Sequence, residues 1–448
     1  MAGKYARATT ILMLAALLAA GASPCSGTAA PFEYMPLVRI PRYYNLMEEG
    51  KRPAVRSQGD LETCWAISAC SAIESDLLPE EPHLFSPDHM SLQNGYLSGQ
   101  EDGGDYYMIM SYLADWKGPV EEAEDPYADG ISPDGLTASV HVQDIRLLRG
   151  MSRRRIMQMI LTYGAAQSSL SMDRMRTDSD EYHYYNEETA AYYDPFVEEL
   201  NHDIVVLGWD DAYPRENFRI RPKQDGAWIC QNTWGEDFGE NGIFYVSYED
   251  RNLFRKGGLV YGPAAQAHSG ERVYEQDSLG WLGRQGYGQS SCWFAGAFEA
   301  GRSESITGIG FYTTGPFTAY RICLIPEFKE EADLVSAAGT QDSGGGAHVV
   351  AAGQIAAAGF HTIQIPQEII LREGQTYAVA VWISTPAERL PVAVEVAKDR
   401  YTQSVSTQGR QTWLSRTGKR WENTQEKYAT NVCMKVFTAQ HEVIIGKD

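Results

Sequence analysis

Val55-Arg56-Ser57-Gln58-Gly59-Asp60-Leu61-Glu62-Thr63-Cys64-Trp65-Ala66-Ile67-Ser68 places a cysteine where an extended stretch turns into a helix. Ile67, Cys70, Ile73 and Leu77 then recur as one apolar stripe, and Pro79 and Pro82 end it. A lone cysteine at a helix start is ordinarily a small buried apolar residue. A second role is open to it there. The unpaired N–H groups and dipole of a helix N-terminus favour an anion, which lowers a thiol pKa toward the nucleophilic thiolate. A thiolate needs a proton carrier. His202 opens a strand in Asn201-His202-Asp203-Ile204-Val205-Val206-Leu207-Gly208-Trp209, and Asn232 follows in Trp228-Ile229-Cys230-Gln231-Asn232-Thr233-Trp234-Gly235. Cysteine, histidine and asparagine in that order fit a nucleophile, its base and the group that orients the base. The three blocks together outweigh the structural reading of Cys64.

Around this constellation the chain reads as helices first and strands later. Helices are predicted from Cys64, over 106–116 (YYMIMSYLADW) and over 154–163, closed by Gly164. Strands are predicted at 166–172, 204–209, 227–231 and 242–248. That order indicates an α+β domain ending near Tyr261. Residues 262–270 (GPAAQAHSG) read as a linker. Beyond it, short strands at 306–312, 319–325, 360–365, 377–383 and 392–396 alternate with turn signals such as Gly315-Pro316 and Gly344-Gly345-Gly346. Regularly spaced short strands of this kind indicate a β-sandwich of about 170 residues.

Composition bounds the function. The 448 residues carry 59 acidic and 38 basic side chains, a formal charge of −21, which makes nucleic acid and anionic lipid poor partners. Lys4 and Arg7 precede the apolar run 11–22 (ILMLAALLAAGA), which is shorter than the roughly 20 residues a membrane helix needs. It reads as a secretory signal peptide over 1–29, giving a secreted or cell-envelope protein with no transmembrane segment in the mature chain. Cys25 fits a lipid-attachment pattern badly, because Pro24 precedes it. The remaining cysteines show no CxxC and no zinc spacing, so no metal site and no dense disulfide framework are expected. No cofactor is implied.

With those residues quoted, the segment 36–262 resembles the papain-like cysteine peptidases. The resemblance rests on four blocks in family order: Gln58-Gly59 with Cys64-Trp65-Ala66-Ile67-Ser68, Asn201-His202, Asn232-Thr233-Trp234-Gly235, and Gly239-Glu240-Asn241-Gly242. It implies a two-lobed α+β peptidase domain, with a helical lobe and a β-barrel-like lobe. It implies Cys64 as nucleophile paired with His202, Asn232 orienting the ring, Trp234 covering that hydrogen bond, and Gln58 with the Cys64 backbone N–H receiving the oxyanion. Gly103 and Gly104 fall where the family lets substrate backbone approach. Glu62, Thr63 and Asp203 depart from the family residues near the substrate. Glu62 is expected to narrow the pocket or favour a basic side chain, and Asp203 either to charge a neighbouring pocket or to face solvent. Leu61 stands where a family cysteine would be, so one common disulfide is absent. The stretch between the expected cleavage site and Gln58 is short for a helical pro-segment.

Residues 272–442, through Tyr274-Glu275-Gln276-Asp277-Ser278-Leu279-Gly280-Trp281 and the strands that follow, resemble the lectin-like all-β sandwich of some bacterial members. That implies a shape and, through it, substrate, glycan or cell-surface partners. Trp293, Trp413 and Trp421 fit either sugar stacking or the sandwich core, with core favoured. The whole then reads as a secreted cysteine endopeptidase acting on proteins or peptides. Two rivals remain at this stage. One is a silent scaffold used for binding or adhesion. The other is a transpeptidase that hands the acyl group to an amine.

Overall fold

The structure is a computed structural model and describes residues 39–172, 183–339 and 346–441. The expected signal peptide over 1–29, Cys25, and Gly344 and Gly345 lie outside the described residues.

The helix Cys64–Leu77 is the centre of the N-terminal half. Every residue from Cys64 to Ser75 is buried, so the stripe expected from sequence is in fact a helix covered on all sides. Its alanines and serines let neighbours close in. The polar residues it buries are paired: the Glu74 carboxylate accepts from the Arg56 guanidinium at 2.6 and 3.1 Å and from the Phe85 N–H at 2.8 Å. Helices Tyr106–Ala114 and Arg153–Tyr163 follow the predicted segments closely. The short helix Pro87–Leu92, started by Ser86, had no counterpart in the sequence reading.

The strand His202–Asp210 carries the second lobe. It pairs antiparallel with Ala166–Leu170, with Ala227–Gln231 and with Tyr43–Asn45. At Gly208 a Cβ would overlap the Tyr44 carbonyl, so this crossing of strands requires glycine. The pairing with Ala227–Gln231 puts Val205 opposite Gln231, which brings the residue after that strand, Asn232, toward His202.

In the C-terminal half, among the described residues, a six-stranded sheet is built around Ser291–Glu299, Thr318–Ile325 and Thr376–Ser384. Cys292, Phe294 and Phe298 face the core shared with the opposing sheet, while Trp293, Ala295 and Ala297 pack beneath Phe328 and Leu334. Trp293, Trp413 and Trp421 are all buried in that second cluster, so the core reading holds and none presents a ring to a sugar.

The two halves join without the free linker expected at 262–270. Ala264–Gln266 pairs with Val140–Val142, and Ala358–Gln364 pairs with Asp144–Leu147 in the N-terminal half. Lys435, wholly buried, binds Asp277 at 3.0 Å and Asp115 across the junction.

Candidate active site

Cys64 is the first residue of its helix, so its backbone N–H is among those without an intrahelical acceptor. His202 begins the long strand and is 3 % exposed. Its Nε2 lies 2.7 Å from Asn232 Oδ1, and the Thr233 N–H donates to that same oxygen at 2.7 Å. The Trp234 ring packs on the imidazole at 4.7 Å and is itself held edge-on by Phe238. Cys64 and His202 line one cavity of about 620 Å³ between the lobes. The backbone N–H of Asp203 reaches the Cys64 sulfur. Residues remote in sequence are thus brought to one point by the helix start, the strand start and the strand pairing.

Gln58 belongs to the same assembly. Its N–H donates to the Thr233 carbonyl at 2.7 Å, its Oε1 accepts from the Thr233 hydroxyl at 2.7 Å, and its Nε2 donates to the Leu61 carbonyl at 2.6 Å. One of the two hydrogens on that nitrogen is therefore engaged within the 58–61 turn.

The surroundings of Cys64 act against one expectation, a thiol pKa lowered by the helix start. Burial pushes the Cys64 thiol up to about 12, and the charges of Asp203 and Glu62 add to the rise. The backbone N–H groups of Asp203 and Trp65 act the other way but do not overcome it. A helix N-terminus does lower a thiol pKa in water-exposed settings. Here desolvation and two nearby carboxylates work against the thiolate.

Asp203 does not face solvent, the second of the two roles expected for it. It lines the cavity but is only 7 % exposed, and its carboxylate accepts from Gln167 Nε2 at 2.6 Å. Gln167 also donates to the Trp65 carbonyl and accepts from the Tyr261 hydroxyl, so Asp203 is tied into the wall behind the sulfur. Burial raises its own pKa. Thr63 is wholly buried, its hydroxyl bonded to Tyr127, and it does not line the cavity. Trp234 stays behind His202, outside the cavity lining.

Glu62, Gly103 and Gly104 do line the cavity. Packing adds a second reason for the second glycine. A Cβ at Gly104 would overlap the indole of Trp65, so the residue is small because of packing inside the protein. The segment is anchored by Asp105, which caps the helix Tyr106–Ala114 by accepting from the Tyr107 and Met108 N–H groups. Sequence reasoning missed Glu101, Asp102 and Asp105 beside these glycines, although Glu101-Asp102-Gly103-Gly104-Asp105 is legible as an acidic run. It also missed Arg149 and Lys256 in the same lining, for which no local signal exists. The lining carries more acid than base. Among the described residues, no group of three or more His, Cys, Asp or Glu is placed to hold a metal ion, and the six described cysteines are buried and free.

Comparison with known proteins follows the same division. The family model described as papain family cysteine protease matches residues 40–258, and that described as lectin like domain matches 273–438. Procathepsin L of Felis catus is 27 % identical over 238 residues, covering 50 % of this chain and 64 % of that protein. Cathepsin J of Mus musculus is 24 % identical over 226 residues, covering 48 % and 63 %. The chain therefore spans a little under two thirds of the length of these relatives. Among solved structures, the cysteine protease and lectin-like domains of Cwp84, a surface layer associated protein of Clostridium difficile, match with a TM-score of 0.75 at 22 % identity, over 90 % of each chain. A second Cwp84 structure, after propeptide cleavage, gives 0.75 and 22 % over 89 % of this chain and 99 % of that one. Both halves share that fold.

Proposed function

From residues 40–258 as a papain-family cysteine protease domain and residues 273–438 as a lectin-like domain, we propose that the chain is an exported cysteine endopeptidase. In this reading Cys64 is the nucleophile, His202 its base, Asn232 the residue that holds the imidazole, and Gln58 an oxyanion donor. The observation that carries it is the 2.7 Å contact of His202 Nε2 with Asn232 Oδ1, on a histidine that shares its cavity with Cys64.

The chemistry follows from those positions. With Nε2 directed to Asn232, Nδ1 is the nitrogen that takes the thiol proton as sulfur attacks the peptide carbonyl. That transfer supplies the thiolate, the nucleophilic form of the sulfur. The oxyanion receives the Cys64 backbone N–H and the second hydrogen on Gln58 Nε2. Each such donor contributes about 2.7–4 kcal/mol in the transition state. His202 then protonates the leaving amine, a thioester remains on Cys64, and water deprotonated by His202 releases it. The acidic lining favours peptides with a basic side chain near the cut.

Export rests on the basic start and short apolar run at 4–22. It is in keeping with the surface association named for Cwp84. Among the described residues, no helix is long and apolar enough to cross a membrane. The domain limits 36–262 and 272–442 belong to the same proposal. The C-terminal domain then serves substrate or surface binding, with glycans as one class of ligand. Treatment with an epoxide thiol inhibitor tests the reading. One label per chain, abolished in Cys64→Ala together with peptide cleavage, supports it; a folded protein that takes no label at Cys64 and cleaves nothing overturns it.

A further inference from the structure

A second cavity, of about 210 Å³, adjoins the first. Both are lined by residues 102–105, the segment that carries Gly103 and Gly104. One wall of the second cavity comes from Tyr96, Ser98 and Met108, and the facing wall from Leu282, Lys398 and Tyr401 of the lectin-like half. The loop that supplies this far wall also pins the shared segment. The Leu97 N–H donates to the Tyr401 carbonyl at 2.9 Å. The Tyr401 hydroxyl and Arg400 Nη2 both donate to Asp102 Oδ1, at 3.0 and 3.1 Å, while the Gly99 N–H holds the other carboxylate oxygen at 2.9 Å. Ser404 reaches the Gly95 carbonyl at 3.2 Å.

We propose that this second cavity is a distal substrate subsite built jointly by the two halves, with Tyr401 as its positioning residue. It takes the part of an extended peptide on the acyl side of the cut. The proposal rests on the endopeptidase reading above. The leaving amine must lie beside His202 to receive its proton, so the chain on that side departs past 201–203 and 232–234. The 102–105 side is left to the acyl chain. An extended chain advances about 3.3 Å per residue, so a few residues beyond the first cavity bring it along 102–105 and into the second. The lectin-like half thereby becomes part of the substrate-reading surface.

The test compares kcat/KM for substrates with two and with five residues on the acyl side of one leaving group, using the full chain. Binding energy from remote substrate residues should raise the wild-type value for the longer peptide by about tenfold or more. Tyr401→Ala, which opens the far wall, and Ser98→Trp, which fills the cavity from the other half, should each remove most of that gain. Tyr428→Ala, at a tyrosine bonded to Glu422 instead, should keep it. A gain that survives both Tyr401→Ala and Ser98→Trp overturns the proposal. So does a wild type indifferent to acyl-side length, or a length effect confined to the leaving-group side. A folded wild type that cleaves neither peptide removes the endopeptidase reading and this proposal with it. Equal cleavage of both removes this proposal alone.

Discussion

Asp203 and Cys64 show how far a cysteine's behaviour depends on what stands behind it. The Asp203 carboxylate opposes formation of a neighbouring thiolate, so its charge raises the thiol pKa. Removing the charge in Asp203→Asn must move it down. The rate of Cys64 alkylation by iodoacetamide, followed against pH, should then shift its midpoint to lower pH; an unchanged or higher midpoint contradicts the account. Glu62 acts at the cavity lining rather than behind it. Glu62→Gln should reduce the preference for arginine over glutamate next to the cut, measured as a ratio of kcat/KM, by about 1 kcal/mol or less because the group is partly exposed. On the proposed mechanism, Gln58→Ala should lower kcat about 10²–10³-fold, as loss of an oxyanion donor does. Cys64, His202, Asn232 and Gln58 could be nominated as candidates from the sequence because each sits in a short local pattern. The inward bonding of Asp203, the loss of Thr63 to Tyr127 and the thiol's upward shift were not, since each depends on burial set by distant segments.

At the scale of elements, the helix Cys64–Leu77 holds Cys64 only as firmly as its buried charges are paired. Arg56 and Glu74 are 8 % and 1 % exposed at their side chains. Taking away one partner strands the other charge, which costs about 3–5 kcal/mol. Arg56→Ala should lower the urea midpoint accordingly, with little change in the denaturant slope; a loss under about 1 kcal/mol would show that water replaces the arginine. The same scale shows why some strands escaped the sequence reading. Ser291–Glu299 (SCWFAGAFE) is covered on both faces, so it lacks the polar alternation that marks a half-buried strand. Helices Tyr106–Ala114 and Arg153–Tyr163 were legible because each has a clean stop. Pro87–Leu92 is too short to show a period.

The whole molecule is held at its junction by hydrogen-bonded strands and by a buried cation. Lys435 faces Asp277 of its own half and Asp115 from across the junction. Burial pushes Asp277 up to about 7 and Asp115 up to about 6, with Lys435 pulling both back. Carboxyls raised in this way hold protons more tightly folded than unfolded, so their ionisation weakens the fold as pH rises from about 4 through about 7. Lys435→Met removes the compensating charge. The variant should therefore lose about 3–5 kcal/mol at pH 8 and distinctly less at pH 5, by denaturant unfolding; an equal loss at both would contradict the assignment. The sequence indicated two halves but also a linker, because strand pairing such as Ile145 with Phe360 leaves no local trace. The central claim concerns one sulfur, and intact-mass spectrometry of acid-quenched protein during turnover of an activated peptide ester tests it most directly. The account predicts a single acyl group, mapped to Cys64 and missing in Cys64→Ser, with the five other described cysteines unmodified. A wild-type protein that turns over the ester while carrying its acyl group on any other residue would contradict it.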